Sequence, residues 1–215
     1  MSKAKAFGKM LRSLAEGVTG DMSSLRRVDS KKFSTAIQNA SKVRKGDMVI
    51  GDMLTVYKPE EYAKMKTFLS KDGLSGYALK GNELVSVFSI PGGRGEKIAL
   101  DAAARGARNL DNFDVRGKLP ELYERAGFLE TTRFPYDPQY ASELSPYVNK
   151  IQPDVVMMHM NPQIAAQLGL LRGARGEDVR RIVAGKNPRI TRNRRAQDLT
   201  ALAALAGLIG AEEQQ

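Results

Sequence analysis

The sequence of 215 residues contains no cysteine and a single histidine, His159. Without cysteine, the chain has no disulfides, no cysteine-ligated zinc or iron–sulfur centre and no cysteine nucleophile. One imidazole likewise excludes a metal site built from several histidines. We therefore expect a protein without a metal. His159 ends an apolar run, Val155-Val-Met-Met-His159, and we interpret it as structural.

Long apolar runs are also absent. A membrane-spanning helix needs about 20 consecutive apolar residues, and the longest weakly polar run, residues 199–211, is shorter than that. The first residues lack the apolar stretch of a secretory signal. These two absences predict a cytoplasmic protein without a transmembrane segment. Hydrophobic residues make up 42% of the chain, which is typical of a globular protein with a buried core.

The net charge of +10 is distributed unevenly along the chain. Residues 1–46 contain 11 Lys and Arg against 3 Asp and Glu, and residues 161–215 contain 9 against 5. Residues 47–160 contain 14 against 16. Basic ends around a near-neutral middle indicate contact with a polyanion or an acidic partner protein, and solvated flanks are the equally weighted alternative. Nucleic acid would be bound non-specifically at most, since the basic stretch 189–195 has no nearby aromatic residue to stack on a base.

We predict three parts. Residues 1–46 form a basic N-terminal arm, in which residues 3–18 have the apolar spacing of an amphipathic helix. Residues 47–160 form an α/β domain. Residues 161–215 form a helical, basic C-terminal extension that ends in an Ala- and Leu-rich helix over 196–210.

The middle part alternates between strand and helix patterns, which indicates layered α/β architecture. A Gly-Asn pair between two apolar runs predicts a β-hairpin. The predicted elements are one or two strands over 47–57, a helix from 59 to about 70, the hairpin strands 76–80 and 83–90, a helix over 98–106, a strand over 109–115, a helix over 118–126, and strands over 128–133 and 154–160.

A glycine-rich turn follows the second strand of the hairpin and reads Pro91-Gly-Gly-Arg-Gly-Glu-Lys97. Backbone amides of such a turn, together with the N-terminus of the next helix, converge on a phosphate group. The alternative is that the glycines only satisfy the steric needs of a tight turn. The spacing matches neither a P-loop nor a dinucleotide-binding fingerprint.

A second motif lies on a later helix and reads Leu122-Tyr-Glu-Arg-Ala-Gly-Phe128. Together, the two motifs resemble the GNAT N-acetyltransferase superfamily, in which a pyrophosphate loop after the fourth strand is combined with a Leu-Tyr-x-x-x-Gly-Phe motif. Residues 76–158 also resemble a phage-encoded subgroup of that superfamily. The resemblance extends over about residues 47–160 and does not include the two ends.

The resemblance implies a GNAT-like mixed sheet flanked by helices. It also implies acetyl-CoA as a non-covalently bound substrate, held between two parallel strands, 83–90 and 109–115. The acceptor amine attacks the thioester directly, and Tyr123 is the catalytic residue that protonates the leaving thiolate. The implied cofactor-binding residues are Ser89 and Ile90 for the pantetheine arm and Gly92, Gly93, Arg94, Gly95, Glu96 and Lys97 for the pyrophosphate. The general base stays open between Glu83 and Asp114.

Three positions depart from the family pattern. Gly92 occupies the first position of the loop, where the family has Gln or Arg. Lys97 occupies the last position, where the family has Gly or Ala. Arg116 stands where the family often has Asn. An alternative function follows: a phage virion-associated structural protein that keeps a degenerate GNAT fold without activity. Its basic arms would then join it to copies of itself or to other proteins of the phage particle.

Overall fold

The structure, a computed structural model, describes residues 25–140 and 145–165. Residues up to Asn161 fall in one compact unit, bounded at Met22–Asn161, and residues 162–165, which are helical, fall in another. The predictions for the helix over 3–18 and for the segments beyond residue 165 lie outside the described residues.

The unit is built on a seven-stranded sheet with the order β1-β4-β5-β6-β7-β9-β8. Neighbouring strands are antiparallel except for β6 and β7, which are parallel. A separate two-stranded ribbon pairs β2 with β3. The strands are β1 Leu25–Val28, β2 Arg44–Lys45, β3 Met48–Val49, β4 Lys66–Ser70, β5 Ser75–Lys80, β6 Glu83–Ser89, β7 Asn109–Phe113, β8 Phe128–Phe134 and β9 Val155–Met160.

Helices flank this mixed sheet, so the α/β fold class predicted from the sequence is confirmed. The helices are α1 Ser30–Ser41, α2 Pro59–Tyr62, α3 Gly95–Ala104, α4 Lys118–Arg125 and α5 Pro146–Ile151. Two short 3₁₀ turns span Ile50–Met53 and Pro138–Tyr140.

Helix α1 covers one face of the first half of the sheet. Its N-terminus is capped by Asp29, whose carboxylate accepts a hydrogen bond from the Lys32 amide at 2.9 Å. Its apolar positions, spaced three and four apart, are fully buried. They form one core cluster with side chains of the sheet and α2: Phe33, Ile37, Ala40, Tyr62, Leu69, Ala78, Val85 and Phe88.

Helix α3 is fixed on the opposite face. The Tyr77 hydroxyl on β5 donates to Asp101 on α3 at 2.6 Å. Arg105, just beyond the helix, pairs with the same carboxylate at 2.9 Å and donates to the Leu25 carbonyl on β1 at 3.0 Å. The two helix layers therefore enclose the first half of the sheet.

The hairpin was predicted correctly, and so were the helix after the glycine turn, the strand at 109, the helix at 118 and the last two strands, each with small shifts at the ends. The helix predicted over 59–70 was wrong in its second half. It ends at Tyr62, and Lys66–Ser70 forms β4 between β1 and β5. The segment Lys-Thr-Phe-Leu-Ser gains cross-strand pairing on both sides, which overrides its helical pattern.

The compact unit also begins earlier than the boundary expected at residue 47. Strand β1 pairs with β4 from Leu25↔Ser70 to Val28↔Thr67, and α1 supplies three residues of the main core cluster. Residues 25–46 therefore belong with the sheet and not to an arm outside it.

Candidate functional site

Strands β6 and β7 separate soon after they meet. Their parallel pairing consists of one residue pair, Glu83↔Asn109, at the start of both strands. The Arg108 amide donates to the Asn82 carbonyl at 2.7 Å just before that pair. Beyond it, β7 pairs on its other side with β9. The strands therefore open towards Ser89 and Phe113, as the resemblance implied, and leave backbone edges available to a ligand.

A β-bulge shapes the middle of β6. The register with β5 shifts between Gly76 and Ala78, and Ser86 adopts a left-handed φ of 54°. The Ser86 hydroxyl donates to the Thr55 carbonyl at 2.8 Å and accepts from the Tyr62 hydroxyl at 2.9 Å. Such bulges bend a strand away from its neighbour and recur beside functional sites.

The hydrogen bonds of Ser86 and Tyr62 also position Tyr57, whose ring centre lies 5.6 Å from the ammonium of Lys80, the residue opposite Glu83 in the hairpin. The Tyr57 amide donates to the Tyr62 oxygen at 3.1 Å, and the two rings meet edge to face at 5.7 Å. Burial raises the pKa of the Tyr57 hydroxyl, and the negative charges of Glu83 and Asp111 raise it further. Tyr57 therefore lies near the start of the two parallel strands, a position that the sequence did not indicate because nothing local to residue 57 shows its contacts.

The glycine turn lies at the open end of the two strands. Within the described part of the chain, the backbone amides of residues 92–97 donate to no other residue, and the first amide of α3 that is paired is that of Ile98, to the Arg94 carbonyl at 3.0 Å. These six consecutive amides and the positive end of the α3 dipole form the kind of backbone concavity that binds phosphate.

Two glycines of the turn are explained by geometry. Gly93 has a φ of 78°, which favours glycine over residues with a side chain. A Cβ at Gly95 would lie 2.6 Å from the Cδ1 atom of Leu122. Gly92 has open space around it. A side chain at 95 would have to displace the end of the Leu122 side chain, so the two motifs of the sequence lie directly against each other.

The charged side chains of the turn have separate roles. Arg94 pairs with Asp72 in the β4–β5 turn at 2.8 Å and donates to the Ser75 hydroxyl at 3.3 Å. Glu96 pairs with Arg125 on α4 at 3.0 Å. Lys97 is exposed and has no partner among the described residues. Of the three charged residues predicted to bind a cofactor, only Lys97 thus has a side chain free to reach an anion.

Asp72 is well adapted to hold Arg94. Its carboxylate accepts from the Ser70 hydroxyl and the Leu74 amide as well as from Arg94. These hydrogen bonds, that of Ser70 first, lower the pKa of Asp72 to about 2. The carboxylate therefore stays ionised throughout the neutral range.

Ser89 and Ile90 are partly engaged already. The Ser89 hydroxyl donates to the Pro91 carbonyl at 2.7 Å, and the Ser89 carbonyl accepts from Lys45 at 3.2 Å. The Ile90 amide donates to the Leu74 carbonyl at 2.9 Å, whereas its carbonyl has no donor among the described residues. Of the groups predicted to contact a pantetheine arm, the Ile90 carbonyl is therefore free to accept a hydrogen bond. The Ser89 carbonyl can take part only when Lys45 no longer donates to it.

Tyr123 is buried, with 7% of its surface exposed, and its ring meets Phe128 edge to face at 6.1 Å. Its hydroxyl has no hydrogen-bond partner among the described residues. Burial raises the pKa of Tyr123 strongly, and the charge of Asp111 adds to this effect. A phenol in this setting keeps its proton at neutral pH and can donate it.

The two candidate bases differ in their surroundings. Asp114 accepts hydrogen bonds from Arg133 and the Gly117 amide, and the bond from Arg133 is the main cause of its lowered pKa. A carboxylate held in this way is a poor base. Glu83 is half-buried at the closed end of the two strands, and its carboxylate has no ion pair or hydrogen bond to another described residue.

Arg116 stands in the turn before α4 with a left-handed φ of 57°. Asn tolerates this conformation better than Arg. Within the described ranges, no cluster of three metal-ligating side chains is present, and no helix has the length and apolar character to cross a bilayer.

Comparisons with known proteins give fold neighbours only. No family model and no curated protein matches the chain. Among solved structures, an acetyltransferase of Bacillus subtilis in complex with CoA is 15% identical, with a TM-score of 0.41 over 64% of this chain and 97% of that one. An IAA acetyltransferase from Bacillus cereus is 13% identical, with a TM-score of 0.41 over 63% and 97%. At these scores neither neighbour assigns an activity to this chain.

Proposed function

We propose that this chain is an acetyl-CoA-dependent N-acetyltransferase of the GNAT type, which transfers the acetyl group to an amine by direct attack. The observation that supports this most is the row of six unpaired amides, 92–97, at the open end of the parallel strands β6 and β7. A pyrophosphate fits this row, because it supplies the acceptors that the amides lack.

Acetyl-CoA, when bound, supplies an activated acyl group as a thioester. The amides of residues 92–97 hold the pyrophosphate, and the Ile90 carbonyl accepts from an amide of the pantetheine arm. Tyr123, which keeps its proton at neutral pH, donates to the leaving sulfur. We place this activity in the cytoplasm, and in that of the host if the chain belongs to the phage-encoded subgroup.

The first test is calorimetric titration of the full chain with acetyl-CoA, using variants of Gly92. Because Gly92 has open space around it, the fold tolerates a side chain there. A carboxylate about 5 Å from a phosphate costs roughly 3 kcal/mol at the effective dielectric of a protein surface. We therefore expect Gly92→Glu to weaken acetyl-CoA binding about a hundredfold.

Gly92→Gln is the matched control, since it adds the same bulk without the charge. It should weaken binding far less than Gly92→Glu does. Equal losses would mean that bulk alone blocks the turn and that no anion binds there. Failure of the unaltered chain to bind at millimolar acetyl-CoA would reject the enzyme and support the alternative, a virion-associated scaffold that keeps the fold without activity.

A second prediction concerns Arg94. Because its guanidinium is bound to Asp72 and Ser75, we expect Arg94 to fix the turn and not to contact the pyrophosphate. Arg94→Ala and Asp72→Ala should then weaken acetyl-CoA binding to a similar extent, about threefold to tenfold, and the double variant no more than either. Titration of the four proteins measures this. A direct phosphate contact would instead make Arg94→Ala much the more damaging single change.

A further inference from the structure

Strand β8 lies at one edge of the seven-stranded sheet. It pairs with β9 on one side, and within the described ranges no strand pairs with its other side. All of its residues from Leu129 to Phe134 are exposed. Leu129 and Phe134 are 49% and 52% exposed, the largest values among the large hydrophobic residues that the structure describes. A long edge strand with exposed apolar side chains can pair with a strand of another chain.

A β-bulge decides which side chains of β8 share a face. Leu129 and Phe134 are five residues apart and would lie on opposite faces of a regular strand. The bulge inserts one extra residue between them, so they lie opposite two residues of β9, His159 and Val155, that are four apart. Residues four apart on a regular strand share a face. Both apolar side chains therefore project to the same side of the sheet.

The charged residues of β8 share the other face. Glu130 and Arg133 lie opposite two buried residues of β9, Met158 and Val156. They also form an ion pair with each other at 2.8 Å. Along residues 129–134 the side chains thus follow the order apolar, acidic, threonine, threonine, basic, apolar. This order is self-complementary, because in an antiparallel pair of such strands each residue meets its complement.

A second copy of β8 fits this edge when the two strands run antiparallel about a two-fold axis between Thr131 and Thr132. Three kinds of residue pair then form, each of them twice: Leu129 with Phe134 of the second copy, Glu130 with Arg133 of the second copy, and Thr131 with Thr132 of the second copy. Apolar, oppositely charged and threonine pairs directly across two strands each stabilise an antiparallel sheet. The apolar pairs lie on one face and the charged pairs on the other, so no side chain has to cross the sheet.

The opposite edge of the sheet does not have this property. Strand β1 spans only four residues, Leu25–Val28. The corresponding pairing of two β1 strands would set Arg26 opposite Arg27 of the second copy. Like charges directly opposite each other are destabilising, and charged side chains are a common protection of edge strands. Of the two edges, only β8 is therefore suited to pair with its own copy.

We propose that β8 is a docking surface for a second copy of this chain, and that the two copies form a two-fold symmetric dimer with one continuous sheet. Such a contact is isologous, as in most homodimers. A single strand pair belongs to the small interfaces, below roughly 1,200 Å², that give weak and reversible association. We therefore expect a dissociation constant on the order of 10 μM. The inference goes beyond the proposed function and does not depend on acetyl-CoA binding.

Sedimentation velocity of the full chain measures the association. The concentrations run from about 1 to about 200 μM, which brackets the expected dissociation constant. The buffer contains about 0.15 M salt, which screens the net charge of +10 on each copy. We expect mostly monomer at the lowest concentration and mostly dimer at the highest. A chain that stays monomeric throughout would overturn the inference.

Two variants test whether β8 forms the interface. Leu129→Glu places a carboxylate opposite Phe134 of the second copy, and Phe134→Lys places an ammonium opposite Leu129 of the second copy. Each change occurs twice in the dimer, so either variant alone should raise the dissociation constant at least about tenfold. Both side chains are about half exposed, so the fold tolerates the changes. Val56→Glu is the matched control, at an apolar residue that is 39% exposed outside the sheet, and should dimerise like the unaltered chain.

Mixing the two variants tests the register. In a heterodimer of Leu129→Glu with Phe134→Lys, the introduced carboxylate faces the introduced ammonium, and the symmetry-related position keeps the original apolar pair. The mixture should therefore associate about tenfold more tightly than either variant alone. Such a recovery also excludes misfolding as the cause of the single-variant losses. Variants that dimerise like the unaltered chain, or a mixture without recovery, would overturn the proposed pairing.

Discussion

Replacing Tyr123 by phenylalanine is expected to lower kcat for acetyl transfer about a hundredfold, which is the range for loss of one positioned proton donor. The affinity for acetyl-CoA should change by no more than about twofold, because the hydroxyl is expected to act on the leaving sulfur and not on the bound phosphates. Steady-state kinetics with varied acetyl-CoA and a fixed amine measure both quantities.

The fold should tolerate this change. The hydroxyl forms no hydrogen bond within the described residues, and the ring contact with Phe128 is kept in phenylalanine. Tyr136→Phe is the matched control, since its hydroxyl donates to Asn149 at 2.8 Å away from the two parallel strands. A Tyr123→Phe enzyme with nearly unchanged kcat would show that the thiolate leaves without this proton.

The pKa of Tyr123 sets a pH dependence for the same enzyme. Burial and the charge of Asp111 raise that pKa, so the protonated form persists well into the alkaline range. We therefore expect that ionisation of Tyr123 causes no decrease in kcat between pH 7 and pH 10. An alkaline decrease near pH 9 that disappears in Tyr123→Phe would contradict the burial of this phenol.

Local patterns predicted the elements whose signals lie within a few residues. The hairpin follows from the Gly81-Asn82 turn between two apolar runs, and Gly81 has the left-handed φ of 64° that such a turn requires. The same kind of reasoning failed at Lys66–Ser70, because apolar spacing in five residues fits a helix as well as a strand. Only pairing with β1 and β5, which are distant in sequence, decides between them.

The candidate site also contains some features that local sequence patterns predict and others that depend on contacts between distant segments. The amides of the glycine turn were predictable, since glycines after a strand and before a helix indicate an anion site. The partners of its side chains were not. Arg94 forms an ion pair with Asp72, and Gly95 lies against the side chain of Leu122. Both contacts join segments that the sequence separates by more than 20 residues. The position of Tyr57, whose ring centre lies 5.6 Å from the Lys80 ammonium, likewise depends on the hydrogen bonds of Ser86 in the bulge.

Arg105→Ala is expected to destabilise the fold by about 3 kcal/mol at pH 7, because it leaves a buried carboxylate without its cation. Asp101 is only 1% exposed and is paired with Arg105 at 2.9 Å. The guanidinium also lies 4.5 Å from the centre of the Phe68 ring. Urea unfolding measures the loss. Arg125→Ala removes exposed ion pairs with Glu96 and Glu121 and should cost less than about 1 kcal/mol.

The pH dependence of this loss separates charge from packing. Burial raises the pKa of Asp101 above its ordinary value even with Arg105 present, and Arg105 acts to lower it. Removing Arg105 is expected to raise the pKa of Asp101 further. A carboxyl with a raised native pKa contributes most to stability at low pH, where it is protonated, and loses that contribution as the pH rises through the native pKa. The deficit of Arg105→Ala should therefore be largest at pH 7 and shrink towards pH 4. A deficit that is equal at both pH values would mean that the contacts with Phe68 and the Leu25 carbonyl, and not the charge, account for the role of Arg105.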